Sequence, residues 1–193
     1  MTKQWSSIPF VLVGLIAAQG VFGQVNVERE TAAEHQPIGY FDVGLGGFRP
    51  DKQSKLSDQH GGGAILAGIG GKISSNLAAE WEVSFYEQSF NGKTHNTVEF
   101  LGLTLKYAYP LGRLEPYVGA GGGYYDVSGS DKRLPIGFHA LLGGDIRVAE
   151  RDWIGAQFRG LYLEGKFNAQ EIGTVRVGGY FLFVTYRHAF GGR

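Results

Sequence analysis

From Gly39 onward the chain alternates apolar and polar residues with a period of two, over runs longer than soluble sheets use. Across Leu77–Gln88 the odd positions are Leu77, Ala79, Trp81, Val83, Phe85 and Glu87. The even positions are Ala78, Glu80, Glu82, Ser84, Tyr86 and Gln88. One face is greasy and the other carries carboxylates, a hydroxyl, a phenol and an amide. The next segment sets Leu101, Leu103, Leu105, Tyr107 and Tyr109 against Phe100, Gly102, Thr104 and Lys106. Soluble strands average about 5–6 residues, whereas a tilted strand that crosses a bilayer needs about 9–11.

Eight such segments are read, near 39–48, 61–73, 77–90, 97–109, 115–127, 135–148, 153–164 and 175–190. Their connections alternate in length. Loops at 49–60, 91–96, 128–134 and 165–174 take turns with tight links at 74–76, 110–113 and 149–152. This is the pattern of an all-β, eight-stranded antiparallel up-and-down barrel with one elaborate rim and one plain rim.

Composition narrows the function classes. Lysine plus arginine and aspartate plus glutamate both total 18, a net charge of zero that argues against a nucleic-acid partner. With no cysteine, disulfides and thiolate chemistry are excluded. The 32 glycines exceed the usual ~7% share more than twofold, and most lie inside the strands without a collagen period. Glycine there permits curvature or a close side-chain approach.

At the N-terminus, Lys3 precedes an apolar run from Ile8 to Ala18, then small residues around Val21 and Gly23. That order predicts a secretory signal peptide over 1–23, cleaved before Gln24 or, alternatively, after Gly20. Residues 24–38 read as a polar lead-in on the far side of the inner membrane, the barrel as 39–190, and 191–193 as an overhang.

Alternation alone does not decide which face is inside, because a soluble lipocalin-type barrel turns its greasy face inward. Three features favour the transmembrane form. Charges share the polar face with glycine, as in Gly68, Gly70, Lys72 and in Gly143, Asp145, Arg147. Tyr40, Trp81, Tyr107, Tyr109, Tyr117, Trp153, Tyr162 and Tyr186 lie near strand ends, as in interfacial aromatic girdles. Closure also satisfies every backbone group in hydrocarbon.

Glu115-Pro-Tyr-Val-Gly-Ala-Gly-Gly-Gly-Tyr-Tyr125 resembles the fifth strand of the bacterial outer-membrane β-barrel family, the small OmpA-like barrels. Gly137-Phe-His-Ala-Leu-Leu-Gly-Gly-Asp145 and Trp153-Ile-Gly-Ala-Gln-Phe-Arg159 are similar to the sixth and seventh. The likeness covers 36–190 in architecture and is residue-specific over 115–190. It implies an eight-stranded barrel in the outer membrane of a Gram-negative-type bacterium, both termini periplasmic, with no catalytic residues and no cofactor. The implied partners are outer-membrane lipid, lipopolysaccharide and the barrel-assembly machinery. Two departures stand out. Phe190 is followed by Gly191-Gly192-Arg193 where the family ends on an aromatic, and no peptidoglycan-binding domain is expected after the barrel.

The lumen face is expected to carry Asp42, Lys72, Glu80, Glu82, Lys106, His139, Asp145, Arg147, Arg159 and Arg187. Charges in a narrow lumen must pair, since an unpaired one costs several kcal/mol. An ion-pair network that plugs the barrel is the expectation, with a structural or surface-interaction role. A narrow channel for small solutes is the alternative. A lipid A-modifying enzyme ranks lower, because neither His188-Ala-Phe nor His139-Ala-Leu carries a serine two residues on. Glu80 and Glu82 lack a visible substrate cleft, and His35, His60, His95, His139 and His188 show no metal-ligand spacing. Gly61-Gly-Gly63 and Gly121-Gly-Gly123 are not phosphate loops, since no helix pattern follows them.

Overall fold

The computed structural model describes residues 39–51, 60–90, 93–127, 136–166 and 174–191. The expected signal peptide, the lead-in, parts of all four long-rim loops and the end of the overhang lie outside the described residues. The strands are β1 (Gly39–Pro50), β2 (His60–Lys72), β3 (Leu77–Phe90), β4 (Lys93–Ala108), β5 (Leu114–Val127), β6 (Ile136–Arg147), β7 (Asp152–Lys166) and β8 (Thr174–Phe190). Each pairs antiparallel with its neighbours, and β1 pairs β8, closing the barrel. The soluble lipocalin-like alternative is overturned by the distribution of side chains. Leu103, Leu142, Leu182 and Val184 point outward and are 57–64% exposed, while Glu82 and Glu80 are 0% and 1% exposed inside.

An outside this apolar is one that lipid, not water, covers. Replacing Leu103 by arginine therefore puts a charge on the lipid face. It is expected to lower folding stability by about 2–4 kcal/mol if Leu103 sits at the bilayer midplane. Urea unfolding in vesicles measures this, and wild-type stability would reverse the inside/outside assignment.

The plain rim is built of short links. In 73–76 the Ile73 N–H donates to the Leu77 carbonyl at 2.8 Å, and the Asn76 amide donates to the Ala108 carbonyl at 2.9 Å. In the next link Gly112 takes φ 64°, a conformation open to glycine without the Cβ penalty. At the opposite rim the expected 91–96 loop is shorter. β4 already begins at Lys93, and Phe90 pairs with it. Residues 93–96 are polar, and a ladder that continues beyond the apolar band has no alternation to read.

One irregularity decides the contents of the lumen. Glu82 pairs with Gly102 but Ser84 pairs with Glu99, so β4 carries one extra residue. The same slip separates Phe100 from Leu103 against β5. Leu101 sits in this bulge with φ 52°, an uncommon conformation for a residue with a side chain. The bulge reverses parity. Below it Gly102, Thr104 and Lys106 face inward, and above it Thr97 and Glu99 do. Phe100, which the alternation sets on one face with Gly102, Thr104 and Lys106, has a side chain outside the described ones.

The aromatic girdle also needs correcting. Trp81, Tyr107, Tyr162 and Tyr186 are outward, joined by Tyr124 and Tyr180. Tyr40, Tyr117 and Trp153 are instead buried in the lumen. They share parity with Asp42, Glu115 and Gln157, so their rings close the inside of the rim where a girdle would dress its outside.

Candidate functional site

Inward-facing residues divide the lumen into layers. Toward the long-loop rim lies an apolar cluster of Phe48, Leu66, Tyr86, Tyr125, Leu161, Leu163, Phe181 and Phe183 with Ala64. Phe48 packs with tilted rings at 4.7 Å from both Tyr86 and Phe181, and Tyr86 meets Phe181 edge-on at 4.9 Å. The sequence predicts only an ion-pair network in the lumen, with no aromatic plug.

Beneath it lies the first charged layer. Arg159 binds Glu82 at 2.6 Å and reaches Glu99 at 3.6 Å. Ser84 and Tyr125 donate their hydroxyl hydrogens to Glu99 at 2.8 and 2.6 Å. The Thr104 hydroxyl lies 2.6 Å from Glu82 Oε2 and 2.7 Å from His139 Nε2. Thr104 has one hydroxyl proton, and an ionised Glu82 can only accept. The proton between Thr104 and His139 therefore belongs to Nε2, which donates to Thr104 Oγ1.

That tautomer bears on catalysis. A histidine that activates a hydroxyl must take its proton, so the accepting nitrogen has to be bare. Here Nε2 already carries hydrogen, and Thr104 and His139 are both buried. Glu99 lies 3.6 Å from Nδ1, which has no hydrogen-bond partner, so the threonine and the imidazole lack the donor order of a nucleophile and its base.

The second charged layer lies nearer the plain rim. Lys106 pairs with Glu80, and lies 3.4 Å from Asp42 and 4.0 Å from Glu82. Arg187 pairs with Asp145 and with Glu115 at 2.7 Å. Its guanidinium lies over the Tyr40 ring at 5.0 Å. Tyr40, Ala78, Trp153 and Ala189 close the bottom. A pocket beside them, lined among others by Tyr40, Lys72, Asn76, Lys106, Glu115 and Arg187, holds about 20 Å³, room for one water.

Of the residues expected in the lumen network, Asp42, Glu80, Glu82, Lys106, His139, Asp145, Arg159 and Arg187 are brought together by these contacts. Lys72 only lines the pocket. Arg147 is exposed at the end of β6, its guanidinium 5.6 Å from the Trp153 ring, so it is not part of the charged layers. Two carboxylates escaped the sequence reading. Glu115 shares parity with Tyr117 and could have been found that way. Glu99 is placed by the bulge, whose one sequence trace is the adjacent apolar pair Phe100-Leu101.

Glycine makes these layers possible. A Cβ on Gly143 would stand 2.6 Å from the Tyr117 ring, and one on Gly70 2.6 Å from that of Tyr40. On Gly121 it would meet His139 Nε2 at 2.7 Å and Thr104 Oγ1 at 2.8 Å. Each large inward side chain leans over a neighbouring strand that has none, which is why a narrow lumen holds so many.

A separate polar cluster faces outward at the plain rim. His188 Nδ1 lies 2.8 Å from Asp152 Oδ1, and Tyr186 donates its hydroxyl hydrogen to the same oxygen at 2.6 Å. This ties β7 to β8 where the apolar band ends.

An eight-stranded antiparallel barrel with lipid-facing apolar side chains outside and paired charges inside is the transmembrane β-barrel of bacterial outer membranes. Solved structures share the fold. The chain is similar to neisserial surface protein A, at 19% identity and a TM-score of 0.60, over 81% of this chain and 99% of that one. It is also similar to the outer membrane protein OprG from Pseudomonas aeruginosa, at 13% identity and a TM-score of 0.55, over 81% and 98%. No protein-family model matches the chain. No curated protein matches it either.

Proposed function

We propose that this chain is a closed structural barrel of the outer membrane, whose work is done by its outer wall and its long-loop rim. One observation carries the reading: two different kinds of filling lie one above the other in the lumen. The aromatic cluster is closely packed, and the charged layers beneath are held by short ion pairs. An eight-stranded barrel is just wide enough for side chains to fill. A solute would have to displace both fillings. On this reading the wall contacts membrane lipid, with lipopolysaccharide on the long-loop side, and the connections at 51–59, 91–92, 128–135 and 167–173 meet the surroundings. No catalytic residue or cofactor is assigned.

Purified protein in planar bilayers is expected to give no large, steady conductance. A reproducible, ion-selective open state in the wild type would replace this reading with that of a narrow channel.

A further inference from the structure

Buried charge around Lys106 does not balance. Its ammonium is gripped by Asp42 Oδ2 at 3.4 Å and by Glu80 Oε2, two carboxyl groups on one base. Both acids are more than nine-tenths buried, at 4% and 1% exposed. Each has a second oxygen, Asp42 Oδ1 and Glu80 Oε1, and neither of these buried atoms has a hydrogen-bond partner. Both point at one place. A Cβ on Gly68 would overlap Asp42 Oδ1 and stand 2.6 Å from Glu80 Oε1, so β2 leaves open the space where they meet. The two oxygens therefore border one small space above Gly68.

Two ionised carboxylates meeting oxygen to oxygen in a low-dielectric interior repel, and each unsatisfied oxygen bears a desolvation penalty. A single proton between them removes both faults, because one oxygen then donates and the other accepts. We propose that Asp42 and Glu80 share one proton, held between Oδ1 and Oε1 above Gly68, so that one negative charge answers the Lys106 ammonium.

The other groups around the pair are already engaged. Tyr40 of β1 donates to Glu80 Oε2 at 3.2 Å, and Glu82 of β3 is held by Arg159 of β7. On β5, the Tyr117 ring lies 5.5 Å from the Lys106 ammonium. Arg187 of β8 is bound by Glu115 of β5 and Asp145 of β6. β2 brings only glycine to the place where the oxygens meet. The pocket at the plain rim is lined by Tyr40 and Lys106, both of which touch Glu80, and gives the proton a route of exchange with the solution through those two side chains.

The sign of the pH dependence follows. Near neutral pH the unfolded chain has released both carboxyl protons to water, while the folded barrel keeps one. Folded stability must therefore fall as pH rises through the window in which that proton is held. The unfolding equilibrium constant grows tenfold per pH unit for each extra proton bound by the folded state. Glu80→Gln removes this dependence, because its amide N–H can donate to Asp42 Oδ1 and leaves Asp42 and Lys106 matched one to one. Asp42→Asn does the same from the other side.

Reversible urea unfolding in vesicles across pH, with infrared spectra of the folded protein, tests the proposal. The expected result is a protonated-carboxyl C=O band in the wild type at neutral pH. Each variant should lose it, and its pH slope should flatten by one proton. Absence of that band in the wild type, or a band and slope unchanged in the variants, overturns the shared proton. Should one variant fail to fold, the other and the wild-type spectrum decide.

Discussion

Glu82→Gln is expected to destabilise the folded barrel by about 3–5 kcal/mol, because it breaks a buried ion pair from one side only. Glu82 is fully buried and serves four partners at once. Arg159 and Thr104 lie at 2.6 Å, His139 at 3.6 Å and Lys106 at 4.0 Å. Glutamine keeps the size but not the charge. Arg159 is then left with Glu99 at 3.6 Å as its remaining counter-charge, in a site water does not reach. Glu87→Gln, exposed on the same strand, is the control and should stay within about 0.5 kcal/mol of wild type. Urea titration in detergent or vesicles measures both. If the two variants cost the same, the charged layer is not a desolvated network. Planar bilayers should show no new conductance in Glu82→Gln, since the aromatic cluster above it is untouched.

The barrel was legible because lipid imposes a strict rule on alternate residues. Wherever one face met hydrocarbon and the other met charge, as from Leu77 to Glu87, the strand and its inward residues could be read directly. Legibility failed where that contrast disappears. Tyr180-Phe-Leu-Phe-Val184 is a continuous apolar run, because lipid covers Leu182 outside while Phe181 and Phe183 pack inside. Alternation cannot separate a lipid-facing leucine from a lumen-facing phenylalanine when both neighbours are apolar. The strand-end aromatics misled for a related reason. Tyr40, Tyr117 and Trp153 have the composition of a girdle, but their parity with Asp42, Glu115 and Gln157 turns them inward. Glu99 was lost to register, since one inserted residue at Leu101 reverses every assignment beyond it.

Charge and apolar packing divide the lumen between them along its length. The charged layers need partners of defined geometry, which the glycines make room for. The aromatic cluster needs only volume, and it stands between those ion pairs and the long-loop rim. Charges that would otherwise be reached by water from both ends are approached by it through the pocket at the plain rim. Loss of the cluster should therefore weaken the barrel without opening it.

Phe181→Ala tests that division. Phe181 is 3% exposed and touches Phe48 at 4.7 Å, Tyr86 at 4.9 Å and Phe183 at 5.5 Å between ring centroids. Truncation leaves a cavity among rings that β-strand backbones hold apart, so relaxation is limited and the expected loss is about 3–5 kcal/mol. Leu182→Ala, one residue on, faces outward at 63% exposure, where mobile lipid chains can refill the space. Its loss should be clearly smaller, although it removes apolar surface of comparable kind. Unfolding in vesicles reads the difference, and equal costs would mean that the inner cluster is not packed as a core. The same Phe181→Ala protein should give no steady current in planar bilayers. Arg159, Glu82, Glu99 and His139 still fill the cross-section below, and their ion pairs do not depend on the ring that was removed. A sustained current from Phe181→Ala would assign the closure to the aromatic cluster alone and leave the charged layers as the lining of a passage.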